Sequence, residues 1–134
     1  MTDTPLPIVR YMIVCDDILA DPQRRGKPVL VGLISLIAPA DEPPYPYRLD
    51  QMCVFLVLTE GRGMGECRLK LVFEESGQVV WETRPQPIAF GSDPLALYGL
   101  IFRERNIPFR SPGVYLVQFW YNDHIVAQQP VRAR

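Results

Sequence analysis

Short apolar segments separated by prolines and glycines run along the chain. In the clearest of them, residues 66–74, Cys67, Leu69, Leu71 and Phe73 alternate with mostly polar residues. Because successive side chains of a β-strand point to opposite faces, this pattern predicts a strand with one buried face. The same criteria predict eight strands, at residues 8–16, 28–38, 49–59, 66–74, 78–84, 95–103, 114–121 and 124–131.

Several residues between these segments favour tight turns. Gly77 can adopt a positive φ, and Asn122 and Asp123 both tolerate the left-handed conformation that a two-residue hairpin needs, so we predict a hairpin at each position. The glycines at residues 61–65 lack the following helix of a phosphate-binding loop and predict a further hairpin connection. A short helix capped by Asp93 is the alternative to the beginning of the strand at 95–103.

Short strands at this spacing predict an all-β fold. We expect a single-domain antiparallel β-sandwich of about 7–8 strands, immunoglobulin-like or C2-like in appearance. A chain of 134 residues is long enough to bury a core of its own as one domain. We expect residues 8–134 to form this domain and residues 1–7 to be a flexible N-terminus.

Three of the predicted strands are apolar on both faces, at residues 29–34, 53–58 and 114–120. In a sandwich one face of each strand meets the core and the other is normally wet. A second apolar face is therefore either covered by a loop or presented to a partner. The proline-rich segment 39–46 is a candidate cover, and the sequence leaves both alternatives open.

Aromatic residues supply candidates for a partner interface. Alternation divides the strand at 114–121 into one face with Tyr115 and Phe119 and another with Leu116 and Trp120. One face belongs to the core, and aromatic side chains on the other are suited to anchor a partner, with core packing as the alternative. The interface candidates are Trp120, Leu116 and two tyrosines of the proline-rich segment, Tyr45 and Tyr47.

The charges nearly balance, since 14 Lys and Arg stand against 15 Asp and Glu. Nucleic acid and anionic membranes attract a basic excess, so we expect neither as a partner. The apolar stretches are shorter than the roughly 20 residues of a membrane helix, and the first residues lack the pattern of a signal peptide. Cys15, Cys53 and Cys67 lie within apolar segments, which favours reduced, buried thiols and a cytoplasmic location.

The sequence offers little catalytic chemistry. His124 is the one histidine, no cysteines have the spacing of a zinc site, and no serine has the setting of a nucleophile elbow. We therefore expect no enzyme and no cofactor. If each strand reverses direction, acidic loops gather at one end, as in calcium-binding sandwiches. The candidate calcium ligands are Asp16, Asp17, Asp93 and Asp123, and solvated loop charges are the alternative.

Turns, strand starts and core aromatics recur in segments at residues 11–16, 28–33, 93–95, 98–100, 111–115 and 119–122. Over roughly residues 8–131 they resemble an uncharacterised family of small bacterial cytoplasmic β-sandwich proteins, a domain of unknown function. The resemblance implies the fold and a bacterial cytoplasmic protein. It implies no activity, cofactor or catalytic residue.

These inferences favour a non-enzymatic interaction or structural module. We expect it to bind a protein, either another protein or itself as a homodimer, because identical apolar patches can meet across a two-fold axis. The alternative is a ligand- or calcium-binding sandwich that uses the acidic loops at one end.

Overall fold

Ten strands and no helix occur in the part of the chain that the computed structural model describes, residues 5–134. The predicted N-terminus at 1–7 lies partly outside these residues. The strands are β1 (Ile8–Ala20), β2 (Pro28–Leu33), β3 (Leu36–Ile37), β4 (Tyr47–Thr59), β5 (Met64–Phe73), β6 (Gln78–Glu82), β7 (Gln86–Ala89), β8 (Tyr98–Phe109), β9 (Gly113–Tyr121) and β10 (His124–Ala133).

Two sheets pack face to face. The four-stranded sheet has the order β2-β1-β4-β8 and is antiparallel throughout. The six-stranded sheet has the order β3-β10-β9-β5, after which β6 and β7 both pair with β5, and within it β3 runs parallel to β10. The predicted β-sandwich is confirmed, with ten strands in place of about 7–8.

The two additional strands come from segments that the sequence pattern describes poorly. The predicted strand at 28–38 divides at Ser35, because the chain leaves one sheet there and joins the other: the Ile34 N–H donates to the Val14 carbonyl, and the Arg132 N–H donates to the Ser35 carbonyl. The strand β7 contains Pro87. In a sequence, proline argues against a central strand, but it is tolerated at the edge of a sheet.

The connection at residues 61–65 differs from the prediction. It joins β4 of one sheet to β5 of the other and is therefore a crossover between sheets, not a hairpin. Gly61 is required by packing, since a Cβ at this position would collide with the Phe90 ring. Gly77, Asn122 and Asp123 all have positive φ, and the hairpins predicted there are confirmed.

The core lies between the two sheets. Tyr115, Phe119 and Tyr121 of β9 are at most 2% exposed, so this face of the strand is the buried one. Phe102 of β8 meets Phe119 from the opposite sheet, with ring centroids 6.2 Å apart. The inward set predicted for β5 is confirmed, since its alternate apolar side chains are buried or pack against this core: Cys67, Leu69, Leu71 and Phe73.

The strand β8 changes its buried face partway along. Phe102 points into the core while Arg103 and Arg105 are exposed, as alternation requires. Asn106 has a φ of 57°, and after it the odd-numbered Ile107 and Phe109 are the buried residues. The buried face thus changes at this left-handed residue without a bulge, because β8 keeps one continuous register with β4 on both sides of it.

The end of the β1–β2 hairpin lies over the outer face of the four-stranded sheet. The strand β1 pairs with β4 only as far as Cys15, which lies opposite Cys53, and beyond it β1 continues with β2 alone. Cys15, Ile18 and Cys53 form a second, smaller buried cluster, and Leu30 and Phe55 pack against it. The hairpin thus covers part of the doubly apolar strand β4.

The proline-rich segment 39–46, the candidate cover, has a different location. Tyr45 packs against the main core, and its hydroxyl donates to the Arg134 carbonyl at 2.8 Å. Tyr47, at the beginning of β4, packs against the same core. No helix in the described residues is long and apolar enough to span a membrane.

Candidate binding cleft

An open cleft of about 610 Å³ lies where the hairpin end meets the outer face of the four-stranded sheet. One wall is the hairpin from Ile18 to Pro28. The other consists of Phe55 on β4 and of Gly99, Ile101 and Arg103 on β8. The three β8 residues are two apart, so they share the outer face of the strand. We call this space the hairpin cleft.

Arg103 fastens the hairpin to the sheet. Its guanidinium donates to the Asp17 carboxylate at 2.7 Å and also to the Ile18 carbonyl. A planar guanidinium suits this two-point attachment because its N–H groups diverge in a fixed fork. The hydrogen bond from the Ile18 N–H and the nearby Arg103 lower the pKa of the Asp17 carboxyl. The pair therefore stays ionised at neutral pH.

The remaining charges of the cleft are unequal. Asp21 accepts a hydrogen bond from the Gln23 N–H at 2.9 Å and lies 3.9 Å from the Arg24 guanidinium. Arg25 and Lys27 also line the cleft, and in residues 5–134 no carboxylate lies within ion-pair distance of either. The charges of the cleft without an ion-pair partner in these residues, those of Arg25 and Lys27, are therefore positive.

The sheet side of the cleft, which we call its floor, has no side chain at Gly99. Its φ is not in the left-handed region, and a Cβ added there would meet nothing within 4 Å. Neither backbone conformation nor crowding inside the chain requires glycine at this place in β8. Glycine within a strand commonly marks a position where a ligand or another backbone approaches closely.

The three cysteines are free and buried. Burial raises the pKa of the Cys15 and Cys53 thiols, and it raises that of Cys67 to about 11. At neutral pH these thiols are therefore protonated and poor nucleophiles. Cys15 and Cys53 fill the small cluster beneath the hairpin, whereas Cys67 lies in the main core.

The candidate calcium ligands serve separate local roles. Asp17 pairs with Arg103, and the Asp93 carboxylate accepts from the Leu95 N–H at 2.9 Å within a turn. The Asp16 carboxylate lies over Gly32, and Asp123 lies in the β9–β10 turn. Among residues 5–134 no three His, Cys, Asp or Glu side chains come together as a metal site would require.

The interface candidates divide between two places. Leu116 and Trp120 are half-buried on the outer face of the six-stranded sheet. The Trp120 ring lies under the Lys70 ammonium, 3.8 Å from the ring centroid, and its indole N–H donates to Gln118 at 3.0 Å. Tyr45 and Tyr47 are half-buried against the main core.

Sequence reasoning missed the residues that build the hairpin cleft. Gly99, Ile101 and Lys27 carry no local signal, and Arg103 is 86 residues from the Asp17 that it binds. The one available signal was the apolar outer face of residues 53–58, which required a cover. It did not identify the hairpin as that cover.

The family model described as "Family of unknown function (DUF6941)" matches residues 10–134. No curated protein matches the chain. Among solved structures, the chain is similar to the Pseudomonas fluorescens alkylpurine DNA glycosylase AlkC bound to DNA containing an abasic site analog, with 7% identity and a TM-score of 0.47. The match covers 92% of this chain and 30% of that one.

Proposed function

The chain belongs to the family of unknown function DUF6941, and we propose that it is a non-enzymatic interaction module that binds a partner protein on the outer face of its four-stranded sheet. The observation that carries the proposal is the accumulation of exposed apolar side chains on this sheet. They extend from the hairpin cleft across β1 and β2. Exposed apolar surface of this kind is typical of interaction sites.

The distribution of large exposed apolar residues supports this placement. Of those in the described residues, seven belong to the four-stranded sheet and four to the six-stranded sheet. The seven are Ile8, Tyr11, Leu19, Val29, Val31, Leu33 and Ile101. Tyr11 is 61% exposed and Leu33 is 72% exposed. Because Met12 and Val14 enter the main core, alternation places Tyr11 on the outer face.

The partner that we propose is a second copy of the chain. Across a two-fold axis the same patch of each copy meets its counterpart, so an apolar patch that is complementary to itself meets apolar surface, and an interface above roughly 1,000 Å² would be stable. The absence of enzymatic activity is part of the proposal. The raised pKa values of the three thiols support it, and His124 is exposed at the beginning of β10. Reduced thiols also fit a cytoplasmic location.

Light scattering on a sizing column, across a concentration series, tests the proposal. We expect a mass of twice 15.3 kDa for the natural chain. Tyr11→Asp should yield a monomer with an unchanged melting temperature, because the substituted side chain is mostly exposed and its charge would be buried only between copies. Trp120→Asp is the matched control on the other sheet and should remain dimeric.

Two results would contradict the proposal. A monomer at every concentration would exclude self-association. A natural dimer that Trp120→Asp dissociates and Tyr11→Asp leaves intact would place the interface on the six-stranded sheet, where two of the interface candidates, Leu116 and Trp120, lie.

A further inference from the structure

We propose that the hairpin cleft is a binding site for a small aliphatic carboxylate, with the hydrocarbon tail on the sheet and the carboxylate at the hairpin end. This inference goes beyond the interaction function and does not depend on it. Self-association rests on the exposed residues of β1 and β2, whereas the ligand site is the cleft between the hairpin and β8, and the two share Leu19 and Ile101. The argument rests on the floor of the cleft, its size and its charges.

The floor is apolar and carries no side chain at Gly99, at the end away from Arg103. Phe55 and Ile101, which lie opposite each other on β4 and β8, supply apolar surface beside Gly99, and Ile101 is 43% exposed. Since neither φ nor a neighbouring atom requires glycine at residue 99, the missing side chain leaves room for a group from outside the chain. Methylene groups fit such a floor, because it offers contact area and few hydrogen-bonding groups.

The size of the cleft suits a small ligand. Sites for small molecules commonly have volumes of about 300–1,000 Å³, with mostly apolar walls and a few polar groups that fix orientation. The hairpin cleft, at about 610 Å³, lies within this range. Apart from Arg103, which is paired with Asp17, its charged groups lie on the hairpin wall, opposite the apolar floor, so a ligand with one apolar end and one polar end can satisfy both.

The charged residues of the cleft favour a ligand whose polar end is an anion. Arg25 and Lys27 line the cleft without a carboxylate within ion-pair distance in the described residues, whereas Asp21 already has partners. Arg103 is held by Asp17. A carboxylate at the hairpin end would therefore meet two free cations, and a ligand ammonium would be repelled.

The test is isothermal titration calorimetry on the full chain with four probes: hexanoate, octanoate, 1-octanol and octylammonium. Each methylene buried on the floor should tighten binding about fourfold, so octanoate should bind about fifteenfold more tightly than hexanoate. Octanoate should also bind more tightly than 1-octanol, and octylammonium should bind most weakly of the eight-carbon probes.

Two variants locate the site. Replacing both cations, Arg25→Gln with Lys27→Gln, should lower octanoate affinity to that of 1-octanol and leave 1-octanol binding unchanged. Gly99→Val should weaken binding of both probes at least tenfold by filling the floor. Its melting temperature should be unchanged or higher, because valine favours a strand. Gly91→Val is the matched control, since Gly91 also has nothing within 4 Å of an added Cβ and does not line the cleft.

Light scattering on the same samples separates this inference from the proposed interaction function. Octanoate that binds no more tightly than hexanoate, or with the same affinity to Gly99→Val, would overturn the carboxylate site whatever the mass in solution. Octylammonium that binds as tightly as octanoate would overturn the assignment of charge. A monomer that binds octanoate in the expected order would leave the cleft assignment intact and contradict only the self-association.

Discussion

On the outer face of the six-stranded sheet, the large aromatic side chain has partners within its own chain. Lys70 covers the Trp120 ring, and Gln118 accepts its indole N–H. The same Gln118 amide donates to Gln128 at 3.1 Å, and Arg68 lies 3.7 Å from Glu82. Polar groups and long aliphatic stems therefore cover the apolar surface, as is typical of a face in contact with water.

The outer face of the four-stranded sheet is arranged differently. Its centre is covered by the hairpin end, which Arg103 holds in place, and outside this region Tyr11 and Leu33 are more than half exposed. Where the hairpin ends, the cleft exposes Gly99 and Ile101. The comparison teaches that an aromatic residue on a strand is a weak indicator of an interface unless its polar and apolar partners within the chain are known.

The largest expected effect concerns the hairpin cover. Ile18 is 2% exposed in the small cluster, so Ile18→Ala should lower the free energy of unfolding by about 2–4 kcal/mol in urea denaturation. The adjacent Leu19 is 50% exposed, and Leu19→Ala should cost less than about 0.5 kcal/mol. Equal losses from the two variants would show that the hairpin does not cover the sheet in solution.

A smaller effect is expected on the six-stranded sheet. Lys70→Met keeps an unbranched side chain over Trp120 and removes its charge, so it should cost about 0.5–1 kcal/mol at low salt. Lys27→Met, on the hairpin and without a ring beneath it, is the control and should change the free energy of unfolding less. If the two variants cannot be distinguished, the cation does not stabilise Trp120 and the contrast between the two faces is weaker.

The smallest effect concerns the carboxylate that fastens the hairpin. The pKa of Asp17 is lowered from its usual 3.8 by the Ile18 N–H and by Arg103, so ionised Asp17 stabilises the folded state above that pH. Asp17→Asn should lower the melting temperature modestly at pH 7. The difference from the natural chain should vanish as the pH falls through the lowered pKa of the folded state. A difference that persists at pH 2 would assign the effect to shape and not to charge.

Local features of the fold could be predicted from the sequence, and features that join distant segments could not. The alternation of β5 and the left-handed pair Asn122 and Asp123 are decided within a few residues. The division of the predicted strand at Ser35 depends on Arg132, almost a hundred residues away. The hairpin cleft likewise depends on the hydrogen bond between Arg103 and Asp17, which no short-range pattern in the sequence predicts.

The left-handed residue Asn106 divides β8 into two parts that bury opposite sets of positions. Before this residue the even positions are buried and after it the odd ones, and β4, which stays in register, changes its core-facing positions at the same place, from Leu49 to Met52. Deleting Asn106 would put Phe102 and Phe109 at an even spacing in the sequence, but it would move Ile107 and Phe109 by one residue against their partners Leu49 and Tyr47 on β4. With Asn106 present, one continuous strand presents arginines to water beside the cleft and still closes the core at its far end.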